Sequence, residues 1–193
     1  EGNCADTSAS FNLPVEACGT ETLYIRFSTP TAEGDNGHRF AVDDIAVTGT
    51  AGSCSVDDCD QGNLLDECFD LGPNPTSDDA DGSDSNQVVD SNNANAWVEN
   101  DTVDSPSDCR IRREELQVRD ECIVTYGPID ATGFTALELS YLYGWSNDNS
   151  GTQTAYVQWS TNGSTFTDIT SYLLPNGVST CDSGGTEYNC ADT

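Results

Sequence analysis

The sequence predicts an all-β protein, and two observations support that prediction. Five segments alternate apolar and polar residues with a period of two and are rich in β-branched and aromatic side chains, as half-buried strands are. The stretches between them are rich in Gly, Asn, Asp and Ser, which favour turns. A chain of 193 residues is long enough for one β-sandwich or barrel with a sizeable core, or for two small domains.

The predicted strands fall into a stronger and a weaker set. The stronger strands are residues 22–28, 40–47, 122–126, 137–143 and 154–160. The weaker strands are residues 65–71, 96–99 and 165–169. Residues 110–119 stay undecided, because Arg, Glu, Leu and Gln favour a helix whereas the Ile-Arg-Arg alternation between flanking cysteines fits a strand.

The two ends of the chain carry the same pentapeptide. Asn-Cys-Ala-Asp-Thr occurs at residues 3–7 and again at residues 189–193, an offset of 186 residues. Recurrence at a fixed period is the sequence signature of an array, so we expect one period, containing one domain, of a tandem or head-to-tail array. A chance match is the alternative, since Asp, Thr and Ala are common in this chain.

The cysteines indicate an oxidising, extracellular compartment. Nine cysteines beside a single histidine argue against a zinc site and for disulfides. Cys4 and Cys190 occupy the same position of the repeat, so one period contains eight cysteines, which can all pair. Their connectivity stays open, and a free thiol is the alternative. The residues predicted to form disulfides are Cys4, Cys18, Cys54, Cys59, Cys68, Cys109, Cys122, Cys181 and Cys190.

The charge balance is extreme. The chain has 34 acidic residues, six arginines and no lysine, for a formal net charge of −28. Nucleic acids and anionic membrane surfaces are therefore poor partners. Such a surface repels itself at low ionic strength, which predicts bound divalent cations, calcium above all, or a salty medium. The alternative is that most of the scattered carboxylates only maintain solubility.

Further patterns concern export and modification. No run of 18 apolar residues occurs and no charged-then-apolar leader precedes Glu1, so we expect a soluble, mature chain from which any signal peptide has been removed. Two sequons, beginning at Asn100 and Asn162, lie in polar, loop-like surroundings and are candidate glycosylation sites.

The order of several motifs carries a resemblance. The motifs are DECFD at 66–70, YGPID at 126–130, LELSYLY at 137–143, AYVQWSTNGSTFT at 155–167, and, at the start of the chain, LYIRF at 23–27 and FAVDDIAVTG at 40–49. They resemble the MAM-like jelly rolls of secreted and surface proteins, including bacterial cleaved-adhesin and choice-of-anchor J modules. The resemblance covers most of the 186-residue period and implies an antiparallel two-sheet jelly-roll sandwich whose last strand pairs near the first.

The resemblance also implies that the chain is written out of phase, because the family's closing strands here precede its opening motif. Residues 1–49 would be closing strands, residues 50–62 a disulfide-bearing linker and residues 63–193 the opening two-thirds of a sandwich. Residues 1–49 would fold back onto their own chain, complete a neighbouring subunit, or belong to a covalent polyprotein. The polymer interface in the second case would comprise Leu23, Ile25, Phe27, Phe40, Val42, Ile45 and Val47.

Three acidic clusters are candidate calcium sites. The first has Asp78, Asp79, Asp81 and Asp84 around a glycine turn, without the final glutamate or the helices of an EF-hand; a solvated acidic loop is the alternative. The resemblance implies a second, where the opening and closing strands would bring together Glu67, Asp70, Asp43 and Asp44. Its alternative is that Asp43 or Asp44 points to solvent. The third and weakest is Asp57, Asp58 and Asp60 in the linker.

These patterns favour a structural role over catalysis. His38, the sole histidine, is expected in a surface turn with no nucleophile motif nearby. We expect a subunit or repeat of an extracellular fibre, built head to tail from copies of itself. One alternative is an adhesive or carbohydrate-binding module; another is an accessory domain of a secreted hydrolase. Candidate sugar-stacking aromatics are Trp97, Tyr141, Tyr143, Trp145, Tyr156 and Trp159.

Overall fold

The computed structural model describes residues 7–30, 38–52, 62–67, 97–99, 109–112, 115–118, 122–147 and 153–174. Within those ranges it contains eleven strands, one short 3-10 helix (Val15–Ala17) and no α-helix. The strands form two sheets in which every pairing is antiparallel. The prediction of an all-β, two-sheet antiparallel fold is therefore confirmed.

Six strands form the first sheet, sheet A. They are β1 (Thr7–Asn12), β3 (His38–Ala51), β4 (Gly62–Glu67), β6 (Cys109–Arg112), β7 (Glu115–Val118) and β9 (Phe134–Asn147). Their order is β1-β9-β3-β7-β6, and β4 pairs with β3 as well. Because β9 follows β3 along its whole length, β4 and β7 share the other edge of β3.

Five strands form the second sheet, sheet B. They are β2 (Leu23–Ser28), β5 (Trp97–Glu99), β8 (Ile123–Ile129), β10 (Gln153–Ser160) and β11 (Thr167–Leu174). Their order is β11-β10-β2-β8-β5. The segment that the sequence left undecided between helix and strand overlaps β6 and includes β7, and these two strands pair with each other antiparallel.

The core lies between the two sheets, and strand alternation builds it. In β2, Leu23, Ile25 and Phe27 are fully buried, whereas Tyr24 and Arg26 between them are only partly buried. The inward side chains of sheet A join the same apolar cluster as those of sheet B. This is the pattern of a sandwich whose inner faces pack together while the alternate residues face outward.

Aromatic contacts join the two sheets. Tyr141 on β9 packs edge-to-face against Phe27 on β2, with ring centroids 5.6 Å apart. Its hydroxyl lies 2.8 Å from the hydroxyl of Tyr172 on β11. Tyr172 also stacks on Phe40 of β3 and packs against Tyr143 of β9. Sheet A and sheet B are therefore linked by rings as well as by aliphatic side chains.

A disulfide links the sheets at one side of the sandwich. Cys109 on β6 bonds to Cys122, which directly precedes β8, and both residues are almost completely buried. This bond holds the β6 side of sheet A over the β8 side of sheet B. The contacts of Tyr172 place β11 beside β9, so the β1 edge of sheet A and the β11 edge of sheet B share the opposite side.

Residues 7–51, which we call the amino-terminal segment, supply central strands to both sheets. β1 pairs with β9, β2 pairs with β8 and β10, and β3 pairs with β4, β7 and β9. The structure thus contains the fold-back arrangement, and completion by a neighbouring unit stays a prediction. The seven residues predicted at a polymer interface are all fully buried in the core of their own chain.

Candidate functional site

Two strands meet end to end on one edge of β3, and two aspartates lie where they meet. β7 pairs with Phe40 to Val42 of β3, and β4 pairs with Ile45 to Gly49. Asp43 and Asp44 occupy the interval between these two pairings. The pairing of β4 with β3 therefore begins at Ile45, directly after the Asp-Asp pair.

A β-bulge gives these aspartates their geometry. Asp43 is opposite Leu142 of β9, but Ala46 is opposite Ser140, so two residues of β3 face one residue of β9. Asp44 has a φ of 47°, in the left-handed region that aspartate tolerates better than most residues. The backbone N–H of Asp44 donates to Oδ1 of Asp43 at 2.8 Å.

The bulge also changes which residues of β3 face the core. Before it, the even-numbered residues Phe40 and Val42 are in the apolar core; after it, the odd-numbered Ile45 and Val47 are. Without the extra residue, one of these pairs would face outward, because side chains alternate along a strand. The bulge thus keeps both halves of this long strand packed against sheet B.

We call the group Asp43, Asp44, Glu67 and Glu115 the acidic junction. The pairing of β3 with β7 ends at Val42 opposite Leu116, and Asp43 and Glu115 are the next residues along the two strands. Glu67 ends β4 opposite Ile45. Asp43 is 3% exposed and Glu115 is 1% exposed, although both alternate with core residues and lie on the outward face of sheet A.

Buried carboxylates have a clear physical requirement. A buried negative charge is costly unless it is paired, hydrogen-bonded or bound to a metal. Asp43, Asp44 and Glu115 each have at least one polar or electrostatic interaction. Among the described side chains, no group of three or more His, Cys, Asp or Glu residues is placed to hold a metal ion. Calcium at the acidic junction therefore stays a prediction.

Sequence reasoning missed Glu115. Its strand was obscured because Glu, Leu and Gln favour helices, and no alternation marks a strand whose four residues are all buried. The sequence Arg113-Glu114-Glu115 therefore did not indicate that one of its carboxylates is buried. Only the pairing of β7 with β3 shows that Glu115 and Asp43 each follow the paired residues Leu116 and Val42 at the end of this ladder.

Several predicted site residues lie outside the described part of the chain. They are Asp57, Asp58, Asp60, Asp70, Asp78, Asp79, Asp81, Asp84, Cys4, Cys54, Cys59, Cys68, Cys181, Cys190 and Asn100. Of the predicted disulfide formers that are described, Cys109 and Cys122 bond to each other. Cys18, in contrast, is a free, half-buried cysteine. His38 is the first residue of β3, where the sequence placed it in a turn.

Asn162 lies in the exposed connection between β10 and β11. Its Oδ1 accepts hydrogen bonds from the backbone N–H groups of Ser164, at 2.9 Å, and Thr165, at 2.8 Å. The Ser160 and Ser164 hydroxyls donate to the same oxygen. The sequon is thus in an ordered, exposed turn, and glycosylation there stays a prediction.

The candidate sugar-stacking aromatics divide into core and surface. On β9, Leu142 alternates with Tyr141 and Tyr143, which both pack into the core cluster, so the residue turned outward in this segment is a leucine. Trp145 stacks on Tyr143. Tyr156, in contrast, alternates with the fully buried Ala155 and Val157 on β10, which places it on the outward face of sheet B.

Arg26 gives the same outward face a positive charge. Its guanidinium lies 3.3 Å from the ring centroid of Phe166, and its Nε donates to the hydroxyl of Thr125 at 3.4 Å. Partial burial lowers the pKa of Arg26, without removing its charge at neutral pH. Beside it, Nε2 of Gln158 donates to Oδ1 of Asp168 at 2.7 Å.

Fold and site together define an acidic, antiparallel β-sandwich with a disulfide between its sheets. The disulfide is compatible with a secreted protein. Among the described residues, no helix is long and apolar enough to cross a membrane. No protein-family model, curated protein or solved structure matches the chain.

Proposed function

We propose that this chain is a structural subunit of an extracellular filament, in which each copy donates its amino-terminal segment to the next copy, head to tail. One observation carries the proposal. Among the described strands, β1, β2 and β3 pair only with strands that follow them in the chain, and not with each other. The segment is therefore a separable donor, and the rest of the chain is its acceptor.

The acceptor depends on the donor for the continuity of both sheets. In sheet B, β2 is the described link between β10 and β8. In sheet A, β3 is the described link between β9 and β7. Without the segment each sheet is divided into pieces of one or two strands, which are too small to be stable alone. Each copy therefore needs the segment, from its own chain or from a neighbour.

Exchange between copies would preserve these pairings. Every contact between the segment and the acceptor is the same whether one chain or two supply the partners. The connection between Ala51 of β3 and Gly62 of β4 is ten residues long, enough to span roughly 33–36 Å when extended. Donation to the next copy and acceptance from the previous one is a heterologous contact, which propagates into a filament unless its rotation closes a ring.

Calcium is the second part of the proposal. Subunits with a formal net charge of −28 repel each other unless cations neutralise them. The acidic junction lies where the donor strand β3 meets the acceptor strands β4 and β7, so a cation there would stabilise the donated segment directly. Disulfides inside each acceptor would keep its strands together when only the calcium is removed. We therefore expect complete dissolution to require both a chelator and a reductant.

A pair of engineered cysteines tests the exchange. Arg26 on the donor strand β2 is opposite Thr125 on the acceptor strand β8. Opposed residues of antiparallel strands are close enough for a disulfide. Oxidation of Arg26→Cys/Thr125→Cys in material assembled at millimolar calcium should yield a ladder of covalently linked chains on a non-reducing denaturing gel.

A matched control uses two acceptor strands. Gln158→Cys/Asp168→Cys places the cysteines on β10 and β11, which belong to the same chain in either arrangement, so it should give a single-chain band. A single-chain band from the first variant as well, or no assembly at millimolar calcium, would contradict the proposal. The mass under reducing, denaturing conditions separates discrete subunits, near 20.6 kDa, from one covalent array.

A carbohydrate-binding module is the second candidate, and the outward face of sheet B favours it. Tyr156 offers a partly exposed ring for stacking, beside the hydrogen-bonded Gln158 and Asp168. Binding to a glycan array that Tyr156→Ala abolishes would support this role. A wild-type chain that binds no glycan would remove it.

A further inference from the structure

We infer that Tyr143 and Tyr172 are the site of an oxidative crosslink, a carbon–carbon bond between two tyrosine rings that would join sheet A to sheet B within one chain. Tyr143 lies on β9 of sheet A and Tyr172 lies on β11 of sheet B. Their ring centroids are 4.4 Å apart and their ring planes differ by 33°. Aromatic pairs usually have centroids about 4.5–7 Å apart, so these two phenols are in especially close contact.

Neighbouring rings hold the two phenols in this position. Tyr172 stacks on Phe40, with centroids 5.4 Å apart, and its hydroxyl lies 2.8 Å from the hydroxyl of Tyr141. Tyr143 contacts Tyr141 and Trp145, whose ring centroids are 6.1 Å and 6.0 Å away. The two phenols therefore do not have to find each other by diffusion. A reaction between groups that are held together in this way is strongly accelerated.

Exposure and distance favour this pair over the other tyrosine contacts nearby. Tyr143 and Tyr172 are both half-buried, so an oxidant at the surface can take an electron from either ring. Tyr141 is only 2% exposed, which shields its ring from such an oxidant. Tyr141 also meets Tyr143 edge-on, at the longer centroid distance of 6.1 Å. We therefore assign the bond to Tyr143 and Tyr172.

The reaction takes its oxidant from the surroundings, and hydrogen peroxide activated by a haem peroxidase has the required chemistry. Each phenol loses one electron and its hydroxyl proton and becomes a phenoxyl radical. The two radicals form one carbon–carbon bond between the ring carbons next to the oxygen-bearing carbons, and the hydrogen on each of these carbons moves to the phenoxyl oxygen. The two electrons and two protons reduce one peroxide to two water molecules. The protein thus loses two hydrogen atoms in total and keeps both hydroxyls.

The crosslink would be the counterpart of the disulfide on the other side of the sandwich. The bond between Cys109 and Cys122 links the sheets on the side of β6 and β8. A bond between Tyr143 and Tyr172 would link them on the opposite side, where β9 faces β11. The chain has no lysine, so it has no side-chain amine for isopeptide crosslinks. A bond between tyrosine carbons needs no amine, and reductants that open disulfides leave it intact.

This inference goes beyond the proposed filament and does not depend on it. β9 and β11 are both acceptor strands, so one chain supplies both tyrosines whether or not the amino-terminal segment is exchanged. The crosslink would therefore not join one copy to another. Dissolution of assembled material by a chelator and a reductant together stays the expected result, and the two proposals fail or succeed separately.

Oxidation of the purified full-length chain tests the inference. The chain is treated with a haem peroxidase and one equivalent of hydrogen peroxide, reduced, and cleaved at aspartate and glutamate. This cleavage separates the two tyrosines, because Asp148 and Asp168 lie between them in the sequence. Tandem mass spectrometry should find a joined pair of peptides, lighter by two hydrogen atoms than the sum of its parts, in which Tyr143 is bonded to Tyr172.

Tyr143→Phe and Tyr172→Phe should each lower the yield of the joined peptides by about tenfold or more, since phenylalanine keeps the ring but cannot form a phenoxyl radical. The matched control is Tyr156→Phe, because Tyr156 is also half-buried but lies on the outward face of the neighbouring strand β10. Its yield should stay within about twofold of the parent. Unchanged thermal unfolding verifies that each variant is folded.

Two results would overturn the inference. The first is a parent chain without the joined peptides, in a mixture where the same peroxidase couples free N-acetyltyrosine. The second is a yield of joined peptides that is the same in Tyr143→Phe or Tyr172→Phe as in the parent.

Discussion

Replacing Tyr141 with phenylalanine tests how the two sheets are held together. The ring is almost completely buried, so phenylalanine keeps its burial and its edge-to-face contact with Phe27. The substitution removes only the hydroxyl that lies 2.8 Å from the hydroxyl of Tyr172. A neutral hydrogen bond of this kind contributes about 0.5–1.5 kcal/mol, and the partly buried Tyr172 can turn its hydroxyl towards water.

We therefore expect Tyr141→Phe to lower the free energy of unfolding by about 1 kcal/mol, or the melting temperature by about 2–4 °C. A double-mutant cycle with Tyr172→Phe, measured by urea denaturation, should give a coupling energy of about 0.5–1 kcal/mol. Strict additivity of the two single substitutions would show that the hydroxyls do not interact, and would refute this account of the contact between sheets.

The same pair predicts a loss of stability at high pH. Burial and the mutual hydrogen bond raise the pKa of Tyr141, and burial raises that of Tyr172. In the unfolded chain both ionise near the ordinary tyrosine pKa of about 10. Their contribution is therefore complete below that pH, and it is lost as the pH rises above it, because the unfolded state then binds fewer protons. Tyr141→Phe should make this alkaline decline shallower.

Three further predictions concern thermal or urea unfolding. Replacing both Cys109 and Cys122 with alanine removes the disulfide, whose sequence separation is 13, and should lower the free energy of unfolding by about 3 kcal/mol. An unchanged melting temperature would contradict this expectation. Gly49→Ala should lower the free energy of unfolding by about 1–3 kcal/mol, because the new Cβ would lie against the ring of Phe134, with Cγ at 2.8 Å. Replacing Phe134 with leucine as well should recover part of this loss. Asp44→Val should lower the free energy of unfolding by about 1–2 kcal/mol, and Asp44→Gly should lower it by less, since the φ of 47° suits glycine; equal losses would argue against the bulge.

The buried strands were predictable from the sequence, and the exposed edge strand was not. β2 (Leu23–Ser28) and β10 (Gln153–Ser160) match the predicted segments 22–28 and 154–160 almost residue for residue, because alternate large apolar residues enter the core. β1 (Thr7–Asn12) went unpredicted, although Ala9 and Phe11 alternate with polar residues and pack against the core, because this alternation is short and one of its two apolar residues is a small alanine.

The candidate site could be predicted only in part. The Asp-Asp pair in an otherwise apolar strand was visible, and so was its acidic counterpart at the end of β4. The bulge at Asp44 was not, because alternation alone cannot show that a strand changes its inward-facing positions. The burial of Glu115 depends on a pairing between residues more than seventy positions apart in the sequence, which local patterns do not record.

The pairing of the amino-terminal segment also has a consequence for synthesis. β2 and β3 leave the ribosome before their neighbours β8, β9 and β10, which lie about one hundred residues later. At roughly 5–20 residues per second, the segment waits on the order of 5–20 s for its own partners. Such non-local contacts also make folding slow. In the proposed exchange, the acceptor strands of a copy already synthesised compete for the segment during that interval, so the order in which strands emerge would influence the balance between closure and exchange.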